Sequence, residues 1–160
     1  MKRLALLGAL ATLAFSGAAF AATNGPNDGA LSVKDADGKV VVNGKGGVIG
    51  HLDKGYVTIK DPNPNDGTGP IVNGADITSN LSDHTTKYWG ANIRFRIIGG
   101  AFTVTVVGNG IDMSVVGRGL VTMDGYANSD GTYTLNGDAA EAFPVYMFRF
   151  QLTAPTGAGG

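Results

Sequence analysis

The chain has 160 residues, 26 of them glycine, no cysteine, and 12 basic against 13 acidic side chains. The missing cysteine excludes disulfides, thiolate metal sites, a cysteine nucleophile and a lipid-modified cysteine anchor. The charge balance lacks the basic excess of a nucleic-acid binder, so no nucleic-acid partner is expected.

Lys2 and Arg3 form a short basic start, and Leu4 to Phe15 is an apolar run shorter than the ~20 residues of a membrane span. Ala19-Phe20-Ala21 follows with the small-x-small pattern of a signal-peptidase site. Residues 1–21 therefore read as a cleaved secretory signal, and no later stretch is apolar enough to cross a membrane as a helix. The expected location is secreted, extracellular or periplasmic, with a cell-envelope or extracellular partner. Loss of Lys2 and Arg3 leaves ten basic against thirteen acidic residues, about −3. Glu141 is the single Glu and the other acids are Asp, a turn-forming rather than helix-forming choice.

Residues 22–30 read as a flexible lead, 31–153 as one all-β domain and 154–160 as a flexible tail. Within the domain, glycines separate short runs of Val, Ile, Thr, Phe and Tyr, the pattern of many strands joined by tight turns. Asp37-Gly38 is expected to turn Leu31–Lys34 against Val40–Asn43. Asp53-Lys54 is expected to turn Val48–Leu52 against Tyr56–Lys60. Gly99-Gly100 has the form of a two-residue hairpin loop. That hairpin would pair Ile97 with Phe102, Phe95 with Val104 and Ile93 with Val106, leaving Arg94 and Arg96 on the wet face with Thr103 and Thr105. Leu120–Met123, Thr132–Leu135 and Val145–Leu152 complete eight to ten strands. The expected fold is a single-domain antiparallel β-sandwich, with an Ig-like sandwich or small barrel as the alternative.

A weak internal repeat aligns GYVTIKDPNPNDGT (55–68) with GLVTMDGYANSDGT (119–132). It fits either a duplicated half-domain or convergence on good turn chemistry.

From Thr85 to Gly119 the chain reads TTKYWGANIRFRIIGGAFTVTVVGNGIDMSVVGRG, preceded by GVIGHLDKGYVTIKDPNPNDG at 47–67. These stretches resemble a group of small secreted β-rich proteins of actinobacteria and related soil bacteria. The resemblance covers roughly the middle two thirds of the mature chain. It implies a secreted all-β domain and carries over no catalytic or binding residue.

Asp61, Asn63 and Asn65 have the spacing of the first three oxygen ligands of a calcium loop. Asp66 stands where that loop needs glycine, and Val72 where it needs a bidentate Glu. No cofactor is expected; were calcium bound, Asp61 and Asp66 would hold it. His51 lies in GHLD, and His84 follows Ser82 and Asp83, but no G-x-S-x-G or H-E-x-x-H motif accompanies either. The chain is therefore not expected to be an enzyme, a hydrolase with His51 or His84 as base being the catalytic alternative. GKGG (44–47) and GNG (108–110) suit turns and bulges rather than phosphate loops. Tyr88 and Trp89, with Asn92 and Asp83 near in sequence, suit sugar stacking. Arg94 and Arg96 either bind a carboxylate or phosphate or keep a sheet wet. The expected role is non-catalytic: surface recognition or an extracellular structural component. The alternative is a small carbohydrate- or anion-binding module using Trp89, Tyr88, Arg94 and Arg96.

Overall fold

The computed structural model describes residues 25–155, and the expected signal, residues 1–21, lies outside them. Strands carry the whole architecture: β1 (Gly29–Lys60), β2 (Ile71–Asn73), β3 (Ile77–Ser82), β4 (Thr85–Ile97), β5 (Ala101–Gly125), β6 (Thr132–Leu135), β7 (Glu141–Ala142) and β8 (Phe148–Leu152). All pairing is antiparallel. No helix of the described residues is long and apolar enough to cross a membrane.

Two unusually long strands, β1 and β5, organise the rest. Residues 38–45 of β1 pair along one edge with 101–108 of β5 and along the other with 118–125 of the same strand. A sheet with this register must fold over on itself. The first layer runs β3, β4 (85–91), β1 (54–60), β5 (101–109), β1 (38–45), β5 (118–125), β8. The second runs β2, β4 (93–97), β1 (46–52), β5 (111–117), β1 (29–33), β6, β7. Alternation then sends one side chain in two inward. Val40, Val57 and Val104 from the first layer meet Val33, Ile93 and Ile111 from the second in a single core, and among the described residues no polar or charged residue is buried. The architecture is the expected all-β, single-domain sandwich, and it does not close into a barrel.

The strands pass between layers at bends with two kinds of chemistry. Asp35 (φ 48°), Asn92 (φ 55°) and Gly110 (φ 60°) stand where β1, β4 and β5 change layer, and Asp and Asn tolerate this left-handed backbone better than other side chains. Aspartates also tie these bends: Gly110 N–H donates to Asp37 Oδ1 at 2.9 Å and Asp35 N–H to Asp112 Oδ1 at 3.1 Å. At the opposite bends Gly46 faces Gly117 across the ladder. A Cβ on Gly46 would run into the Val116 carbonyl, and one on Gly117 into the Lys45 carbonyl, so only glycine lets the two backbones approach there.

Three expected hairpins are corrected by this topology. Asp37-Gly38 and Asp53-Lys54 do not reverse the chain. They lie inside continuous β1, and the segments on either side fall in different layers and pair with β4, β5 and β6 instead of each other. Gly99-Gly100 connects β4 in the second layer to β5 in the first, so Ile97 and Phe102 are not partners. The face assignment nevertheless holds: Ile93, Phe95, Ile97, Phe102, Val104 and Val106 are all buried, while Arg94 and Arg96 are exposed. At the ends, β1 already starts at Gly29, and Ala154 N–H bonds the Asn27 carbonyl at 3.0 Å. The last strand is shorter than expected, since Val145, Tyr146 and Met147 precede β8 and are exposed.

The internal repeat acquires a structural meaning. Segments 54–60 and 118–125 hold equivalent places in the first layer, on either side of the central 101–109 and 38–45 pair. β4 borders one and β8 the other. In the second layer β2 and β6 are likewise equivalent, each bordering the strand next to the central pair. A duplicated half-domain would pair in this way.

Candidate functional site

The residues expected to act together are divided by the fold. Tyr88 and Trp89 are neighbours on β4 and therefore face opposite ways. Tyr88 opposes Val57 and packs, partly buried, against the core. Trp89 faces outward on the first layer, in register with Tyr56. Their rings lie 6.4 Å apart, tilted by 53°, and the Lys87 ammonium sits 3.6 Å from the Tyr56 ring centre and 4.4 Å from that of Trp89. The cluster thus already holds a cation against both π faces and offers no flat, open platform. Asn92 forms the β4 bend, and Asp83 and His84 form the turn between β3 and β4.

Beyond Asn92, β4 belongs to the second layer, and Arg94 and Arg96 point outward there. Arg94 stands between His51 of β1 and Asn73 of β2, and Arg96 between Ile49 and Ile71. On the far side of β1 the rows continue to Asp112 and Ser114. Strand geometry puts the two arginine stems about 7 Å apart on one face. Neither guanidinium has a carboxylate within 4 Å among the described residues, where His51 with Asp53, at 3.8 Å, is the one such pair. His51 Nε2 is buried and makes no hydrogen bond. The face therefore presents two uncompensated cations beside an amide, an imidazole and the exposed aliphatic surface of Ile71.

His51 and His84 are on different layers, and among the described residues neither imidazole hydrogen-bonds a hydroxyl. The Ser82 hydroxyl donates to the Asp83 carbonyl at 3.5 Å, and His84 contributes its backbone carbonyl to the Asp61 N–H at 2.8 Å. The carboxylates proposed for calcium are engaged within their own loop. Asp61 Oδ1 accepts from Asn63 N–H at 2.9 Å. Asp66 accepts from the Thr68 hydroxyl and from its amide, which hold its pKa below the ordinary carboxylate value. No three His, Asp or Glu side chains converge as a metal site among the described residues.

Comparison with protein-family models, with curated proteins and with solved structures returns no match, so the site is read from its own geometry. Sequence reading missed Lys87 and Tyr56 as partners of Trp89. Lys87 is adjacent in sequence, but Tyr56 is brought in by strand register alone.

Proposed function

We propose that this chain is an exported, non-catalytic recognition module whose second-layer face binds an anionic polysaccharide through Arg94 and Arg96. The observation carrying this reading is the pair of exposed guanidiniums on one face with no carboxylate within 4 Å among the described residues. A planar guanidinium pairs well with carboxylate, and two of them about 7 Å apart suit a chain of repeated charges better than a single small anion. The open face favours a polymer, because many weak contacts then add without an enclosing pocket. Export rests on the Lys2-Arg3 start, the apolar run and Ala19-Phe20-Ala21.

Retention of the mature chain on immobilised polygalacturonate, with neutral dextran as control, tests the reading. Retention should be specific to polygalacturonate and fall steeply with salt. The R94Q/R96Q variant should bind about tenfold more weakly or worse, the loss of charge-assisted hydrogen bonds from two guanidiniums. Equal retention on dextran, or an unaltered double variant, would overturn it.

A further inference from the structure

A second feature of the ladder places two cations opposite each other at the edge of a cavity. The Gly-Lys-Gly run at 44–46 lies antiparallel to the Gly-Arg-Gly run at 117–119. Gly44 opposes Gly119, Lys45 opposes Arg118 and Gly46 opposes Gly117. Like charges directly across a ladder repel. Both side chains are exposed, and neither has a carboxylate within 4 Å among the described residues. Next to them Gly47 and Gly99 contribute no side chains, and the nearest atoms are 3.5 and 3.6 Å from where their Cβ would stand, which leaves open space beside the cations.

That space is a cavity of about 410 Å³ walled by Lys45, Arg118, Asp28, Ile98, Val116 and glycine backbone. It lies towards the small end of the ~300–1,000 Å³ range of small-molecule sites. Gly46 N–H donates to the Gly100 carbonyl at 3.0 Å and fixes one wall. Asp28, the one acid in the wall, is turned to its own loop, with Oδ2 accepting from Gly25 N–H at 2.9 Å. Ile98, 59% exposed, supplies an apolar surface two residues beyond Arg96.

We infer that this cavity seats a sugar-acid unit, its carboxylate between Lys45 and Arg118 and its ring against Ile98. The inference rests on the polysaccharide reading and adds a subsite at the end of the sandwich, where the chain passes from Arg96 through Ile98 towards the first layer that carries Lys45 and Arg118. Opposed cations hold a carboxylate from two sides, and glycine walls let the ring approach the backbone.

The test is amide-resolved NMR titration of the mature chain with galacturonate, with galactose and inorganic phosphate as separate arms. Galacturonate should saturably shift the amides of Gly46, Gly47 and Gly100, and galactose should not. K45Q and R118Q should each weaken that response about tenfold or more, as expected for one charge-assisted contact. Shifts elsewhere, an equal response to galactose, or a response to phosphate alone would overturn the subsite. The two readings fail separately. R94Q/R96Q should lose polymer retention yet keep the galacturonate response. Polymer retention without any galacturonate response would remove the cavity site and leave the arginine face standing.

Discussion

The two halves of β4 carry similar raw material and use it differently. On the first layer Lys87 is folded over Tyr56 and Trp89, so its charge is spent within the molecule. On the second, Arg94 and Arg96 meet no anion among the described residues and remain available. Both sets come from the same strand, β4, separated by the bend at Asn92. A cation near aromatic rings in sequence is thus no measure of a binding site; its intramolecular partners decide.

The most severe way to break this contrast is to prevent the strands from changing layer. Gly46→Val places a branched side chain against the Val116 carbonyl in backbone of φ 142°. Neither strand can yield without disturbing the core. A loss of about 3 kcal/mol or more is expected, or a failure to fold cooperatively. Thermal unfolding would show this as a fall of roughly 10 °C or more. An unchanged melt would mean that the β1–β5 ladder is not closed at Gly46 and Gly117, and both faces would need redrawing.

The same bends show what was legible in the sequence. Alternation correctly sorted Ile93, Phe95 and Ile97 from Arg94 and Arg96, because it depends only on neighbours in the chain. Connectivity was not legible. Asp-Gly and Gly-Gly encode a permissive backbone, and that permission serves a layer-changing bend as well as a hairpin turn. Only long-range register separates the two, and here β1 finds β5 more than forty residues on. The site suffered similarly. Tyr88 and Trp89 had to face apart whatever the fold, but the Tyr56 partner and the Lys45–Arg118 opposition exist only once the register is known.

A smaller effect probes the far edge of the second layer. Tyr133, 7% exposed, donates its hydroxyl to Glu141 Oε2 at 2.6 Å. Burial first, and then the Glu141 carboxylate, push its pKa up to about 12. Because the folded value is raised, this contribution is fully present below the unfolded value near pH 10 and is lost as pH rises from there to about 12. It amounts to about 1–3 kcal/mol. Denaturant unfolding at stepped pH should therefore show stability falling over that window. Tyr133→Phe should lower stability at neutral pH by about 1 kcal/mol and shrink the alkaline fall. A fall of equal size in the variant would assign it to other groups.

The gentlest substitution bears most directly on the two faces. Lys87→Gln removes a surface cation from two rings and should lower stability by about 0.5–1 kcal/mol, a melting shift of a few degrees. Polygalacturonate retention should be unchanged, since the Lys87 ammonium is seated on the Tyr56 and Trp89 rings and away from Arg94 and Arg96. R94Q/R96Q should give the opposite signature: weakened retention with an unaltered melt, because those guanidiniums have no carboxylate to lose among the described residues. If instead K87Q releases the polymer, the aromatic face is the contact surface. Lys87 would then be a gate that leaves its rings when ligand arrives, and the self-sufficiency of the Lys87, Tyr56 and Trp89 cluster would be a resting state.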